Sequence, residues 1–173
     1  MKAFSGRAAV QIGAFAAILA VCSQLAIPLP AGVPMTLQTF AVALCGFLLG
    51  RVRAPLAAGV YLLLGAVGLP VFSSFQGGVQ TLFGPTGGFL FGFVPMAALC
   101  GIGGKSMGKH LLFGLLGVVI CHAMGAAQYA LITQTPFSSA CLLVSAPYLL
   151  KDVLSLAFAL FPARRLSGTP VFS

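Results

Sequence analysis

Residues 37–69 read LQTFAVALCGFLLGRVRAPLAAGVYLLLGAVGL, two apolar runs with Arg51 and Arg53 between them. Arginine is costly in hydrocarbon, so such a pair marks a turn at a membrane surface rather than the middle of one long helix. Both runs fall short of the roughly 20 residues that a full crossing needs. They are expected to tilt, or to end inside the protein rather than in lipid.

The rest of the chain follows the same rule. Of its 173 residues 60% are hydrophobic and only 6% charged, with a mean hydropathy of +1.10. Soluble domains carry roughly 25% charged residues, so this composition cannot cover a water-exposed surface and implies an integral membrane protein. Hydropathy and Pro/Gly breakers predict six helices in a single membrane domain, 1–173, all-α, at about 8–27, 37–50, 54–69, 88–102, 111–133 and 142–161. The first run is longer than the roughly 7–15 residues of a signal-peptide core and lacks an A-x-A cleavage site, so it reads as a retained helix.

Cation placement sets the orientation. Lys2 and Arg7 precede the first helix, Arg51 and Arg53 fill the second gap, Lys105 and Lys109 the fourth, and Arg164 and Arg165 follow the last helix. All eight fall on one side of a six-span topology, which the positive-inside rule makes cytoplasmic, with both termini. The net charge of +8 is thus topogenic and does not imply a nucleic-acid partner. The first and third gaps, rich in Gly and Pro and free of charge, face outward and suggest a pocket near the outer face.

Asp152 is the only acidic residue in the chain, beside Lys151 in the apolar run 142–161. A charge at that depth costs roughly 2.5–3.5 kcal/mol on insertion scales and usually faces a cavity with a task there. Enzymatic chemistry has little else to work with. The five cysteines are scattered singly, with no CxxC pair and no HExxH, so neither a disulfide framework nor a metal site follows. Gly104-Lys105-Ser106 echoes a P-loop end, but Leu99 stands where that loop needs glycine. No catalytic residue and no cofactor is expected.

Three stretches resemble the BioY family, the biotin-binding S components of energy-coupling-factor (ECF) vitamin transporters. The first is Pro28-Leu29-Pro30 followed by Val33-Pro34-Met35-Thr36-Leu37-Gln38-Thr39-Phe40. The second runs from Tyr61 through Gly65, Gly68, Pro70, Val71, Phe72 and Gln76-Gly77-Gly78 to Gly84-Pro85-Thr86-Gly87-Gly88. The third is Pro147-Tyr148 followed by Asp152. The resemblance covers nearly the whole chain, and its GPTGG stretch is the most specific.

The resemblance implies a biotin-specificity subunit in a prokaryotic plasma membrane, partnered by a transmembrane coupling subunit and two ATPases that alone use ATP. It places Asp152 at the family's acidic position, accepting from the ureido N–H groups of biotin; charge-assisted bonds of this kind are roughly twice as strong as neutral ones. Thr36, Gln38, Gln76 and Thr86 are further polar candidates. Phe72, Phe75, Phe83 and Tyr148 can wall an apolar ring. Gly84, Pro85, Gly87 and Gly88 read as a structural loop. Ala9, Gly13 and Ala17, small residues at spacing four, would let the coupling subunit approach the first helix.

One position departs from the family. Ser155 stands where a lysine usually follows the acid by three residues, and the lysine here is Lys151. Helix neighbours do not share a face, so Lys151 either reaches the ligand's carboxylate tail by its long stem or snorkels outward. The competing readings are an S component for another vitamin, a proton-linked carrier using Asp152, and a structural membrane subunit.

Overall fold

The computed structural model describes residues 6–29, 32–103, 106–169 and 171. Lys2, Pro30, Gly104 and Lys105 lie outside them. The described chain is almost entirely helical: α1 Gly6–Gln24, α2 Gln38–Ala66, α3 Val79–Leu82, α4 Gly87–Cys100, α5 Met107–Thr133, α6 Phe137–Val144 and α7 Ala146–Leu166. Two-residue strands, Ala26–Ile27 and Met35–Thr36, pair antiparallel beside α1. Gly6–Gln24, Gln38–Ala66, Gly108–Thr133 and Ala146–Leu166 are long and apolar enough to cross a membrane. Large apolar side chains such as Val10, Leu63, Leu131, Leu150 and Phe158 lie 60–73% exposed on the helices. This is the surface of a membrane protein, whose outside needs no polar cover.

α2 is two helices folded against each other. Gly50 has φ +75°, ψ 178°, a conformation open essentially to glycine alone. Residues 38–49 and 51–66 form the two arms. Gln38 and Tyr61 hydrogen-bond at 2.7 Å, whereas a straight helix would hold them about 35 Å apart. The tip presses against the turn Gly101–Gly103: a Cβ on Gly101 would lie 2.3 Å from the Arg51 nitrogen.

Several helix limits differ from the sequence expectation. α1 stops at Gln24 rather than 27, because Ala26–Ile27 joins the strand pair and Ile27 precedes Pro28, which disfavours helix there. The second arm of α2 ends where Gly68 takes φ +99°. The last predicted helix, 142–161, is two: α6 ends at Ser145 (φ −121°, ψ −52°), and α7 starts afresh with Pro147 in its first turn and runs on to Leu166.

The main core gathers Phe15 and Leu19 of α1 with both arms of α2, with Phe93, Met96 and Ala97 of α4, and with Leu156 and Ala159 of α7. α4 and α5 touch backbone to backbone: a Cβ on Gly88 would meet the Met124 carbonyl at 2.3 Å, and one on Gly92 the Cys121 Cα at 2.8 Å. This contact sets the position of the α5 turn that carries His122. A smaller cluster of Val33, Ala126, Tyr129, Ala140, Val144 and Tyr148 fastens the 32–36 segment to α5, α6 and α7.

Contacts gather the described cations at one end: Arg7 opens α1, Arg51 and Arg53 sit at the α2 tip against Gly101, Lys109 opens α5 beside His110, which Gly103 touches, and Arg164 and Arg165 close α7 before Val171, whose carbonyl accepts from Gln11. There Arg53 donates to Gln11 Oε1 at 2.6 Å. Lys151 is the one cation among the described residues placed toward the opposite end.

Candidate ligand-binding cleft

At that opposite end, the start of α2, the 3-10 turn Ser73–Phe75, the start of α4, the middle of α5 and the start of α7 surround a cleft. It encloses about 650 Å³ of empty space, mouth included. Phe72, Phe89, Leu90, Phe93, Met96 and Val118 give it apolar walls; Thr36, Gln38, Thr39, Thr86, His122, Tyr148, Lys151 and Asp152 supply polar groups. Largely apolar lining with a few convergent polar groups is the usual constitution of a small-molecule site.

Asp152 faces the cleft from the first turns of α7 and is buried. Its Oδ2 lies 2.9 Å from His122 Nε2, and its Oδ1 contacts the Lys151 ammonium. A carboxylate oxygen has two lone-pair sites, so Oδ1 keeps acceptor capacity beside the ammonium. Lys151 spends an N–H on the Thr36 carbonyl at 2.8 Å. The Lys151 side chain therefore bends inward over the carboxylate rather than snorkelling to the surface. Neighbours on a helix diverge by about 100°, and here a flexible four-carbon stem closes that angle.

A polar chain holds the adjacent wall. Thr36 Oγ1 donates to Gln38 Oε1 at 2.8 Å, and Gln38 Nε2 donates to the Tyr61 hydroxyl. Tyr61 is wholly buried, edge-on to Phe72 at 5.5 Å between centroids. On the far side the Tyr148 hydroxyl donates to the Val33 carbonyl, tying the 32–36 segment to α7.

Thr36, Gln38, Phe72, Thr86, Tyr148, Lys151 and Asp152 all line one cleft. Gln76 instead lines a neighbouring depression of about 410 Å³ with Pro28, Leu29, Gly32 and Ser74; Pro34, Ser73 and Thr86 border both hollows. Phe75 and Phe83 do not wall the cleft: they are 72% and 66% exposed, and Phe89 and Phe93 of α4 take that place. Phe75 is turned away by the left-handed backbone at Ser74 and Phe75. Ser155 is buried one turn below Asp152 and does not line the cleft.

The GPTGG loop is held from behind. Gln128 Nε2 donates to the Leu82 and Gly84 carbonyls, both at 2.8 Å. Gly87 and Gly88 sit where a Cβ would strike Leu82 or α5, while Pro85 is exposed at the loop tip. Ala9, Gly13 and Ala17 form an exposed stripe on α1, with nothing within 4 Å of a Cβ on Gly13.

A family model described as the BioY family matches residues 1–169. The chain belongs to the BioY family. Among its relatives, a biotin transporter BioY of Thermotoga maritima is 43% identical over 122 residues, which cover 69% of this chain and 72% of the relative. A probable biotin transporter BioY of Pyrococcus horikoshii is 34% identical over 158 residues, 91% of this chain and 94% of the relative. The fold matches the 2.1 Å crystal structure of the S-component for biotin from an ECF-type ABC transporter, with a TM-score of 0.86 over 98% of this chain and 97% of that one, at 23% identity. BioY proteins are transport subunits, not enzymes.

Sequence reasoning missed several members of this BioY cleft, among them Thr39, Phe89, Phe93 and the one further ionisable side chain, His122. The signal was present: an ionisable residue inside an apolar helix is a functional candidate by default. It is not assigned to the site from sequence because nothing local connects it to Asp152, thirty residues on.

Proposed function

We propose that this chain is the substrate-specificity subunit of an ECF-type vitamin transporter and that its ligand is biotin. The observation that carries this reading is the buried carboxylate of Asp152 in a mostly apolar cleft, in a chain of the BioY family. Biotin presents two ureido N–H donors, a carbonyl acceptor, an apolar thioether ring and an anionic tail. The ureido N–H groups bond to Asp152, whose Oδ1 retains acceptor capacity. Phe72, Phe89 and Phe93 cover the ring; Thr36, Gln38 and Thr86 offer further donors and acceptors.

The chain crosses the membrane six times with both termini cytoplasmic, the α2 arms counting as two short crossings. The cleft then opens to the exterior, since the cations gather at the other end. Biotin is captured from outside, the uncharged 28–36 and 70–87 segments close over it, and release inward is driven by two ATPases through a coupling subunit. The exposed Ala9, Gly13 and Ala17 stripe is where that subunit packs, because small residues permit close helix approach in lipid. The membrane is the plasma membrane of a prokaryotic cell, and one domain, 1–173, carries all of this.

The test is retention of labelled biotin by purified protein in detergent, with unlabelled vitamins as competitors. Displacement by biotin and not by thiamine or riboflavin is expected. Displacement by another vitamin alone, or no retention by folded protein, overturns the assignment.

A further inference from the structure

An anionic ligand brings one more negative charge into a cleft whose charges are already matched. The Lys151 ammonium sits against the Asp152 carboxylate, and among the described residues no other Lys, Arg, Asp or Glu lines the cleft. An unmatched ion away from water is expensive. The group there that can supply the missing positive charge near neutral pH is an imidazole.

His122 is built for that part. It lines the cleft, is 7% exposed, and holds Asp152 Oδ2 through Nε2. In a neutral imidazole that donates to the carboxylate, Nε2 carries the hydrogen and the lone pair is on Nδ1. That Nδ1 is buried and has no hydrogen-bond partner. Around it, α7 brings Asp152, Lys151 and Tyr148; α4 brings Phe89, edge-on at 5.6 Å; α2 brings the uncharged Gln38 and Thr39; Cys121 precedes it on α5. An imidazolium at this place has the Asp152 carboxylate as counter-ion on one nitrogen.

We infer that His122 balances the ligand's carboxylate by taking up a proton when an anionic ligand is seated, so that binding and protonation are linked. This rests on the biotin reading above. The proton comes from solvent and lands on Nδ1; the Nε2–H bond to Asp152 is kept, and no other bond changes. The cleft then carries one net positive charge against the ligand's one negative charge.

The experiment is calorimetric titration of the purified full chain in detergent at pH 7.5 with biotin and, separately, with its uncharged primary amide. Each is run in phosphate and in Tris, whose ionisation heats differ. Expected for biotin is net proton uptake on binding, and affinity that falls by up to roughly tenfold per pH unit at higher pH. The amide should show neither effect, and His122→Gln should abolish the buffer dependence for biotin. Binding of biotin without buffer dependence, or equal uptake with the amide, overturns the inference while leaving biotin as ligand. The wild-type comparison of the two ligands decides the matter even where the variant does not fold. Failure of both ligands to bind overturns the biotin reading and this inference with it.

Discussion

The amide of Gln38 donates to the Tyr61 hydroxyl at 2.7 Å, joining the first turn of one α2 arm to the last stretch of the other. Since Gln38 also accepts from Thr36 at 2.8 Å, this single bond couples the closure of the Gly50 hairpin to one wall of the cleft. Tyr61→Phe leaves the buried Gln38 amide without its acceptor. The expected cost is about 1–3 kcal/mol, read as a lower unfolding temperature in detergent, together with weaker biotin binding.

Lys151 tests whether the inward-bent ammonium matters. Lys151→Met leaves the Asp152 carboxylate with His122 alone and frees the Thr36 carbonyl. Loss of a hydrogen-bonded charge partner costs roughly 1.5–3 kcal/mol, so biotin affinity should fall at least about tenfold in equilibrium dialysis. Unchanged affinity would mean that the lysine serves only as surface charge.

Gly46 sets how closely the first α2 arm meets α4. A Cβ there would lie 2.3 Å from Cys100 Cβ and 2.9 Å from the Ala97 carbonyl. Gly46→Ala should destabilise by roughly 1–3 kcal/mol through overpacking, and Cys100→Gly in the same chain should recover part of it. Thermal unfolding of the single and double variants measures both.

Gly13→Leu should separate binding from transport. The position is open, so the fold and the cleft are untouched. Biotin binding by the isolated chain should stay within about twofold, while uptake by cells carrying the coupling subunit and ATPases falls at least tenfold if two helices must meet closely there.

Much of the fold was legible because charge and breakers punctuate the apolar runs. Arg51 and Arg53 announced the reversal that Gly50 makes, and the described cations at one end, Arg7, Arg51, Arg53, Lys109, Arg164 and Arg165, are among those that the sequence groups together. What did not read through was local. The strand pair at 26–27 and 35–36 and the separate α6 are too short for any periodicity to declare them. Asp152 stood out by being alone, but the inward path of Lys151 depends on the Thr36 carbonyl, supplied by a segment 115 residues away. His122 pairs with Asp152 only once α5 and α7 lie side by side, and Phe75 leaves the cleft because its backbone is left-handed. Contacts of this kind are tertiary, and no window of sequence contains both partners.

The most direct measurement is calorimetry of biotin binding to the purified chain, wild type beside Asp152→Asn. The account expects saturable one-to-one binding that weakens at least roughly thirty-fold in the variant, the low end of the 2–5 kcal/mol lost with a buried charged partner. Absence of binding by folded wild-type protein, or equal affinity in Asp152→Asn, would contradict it.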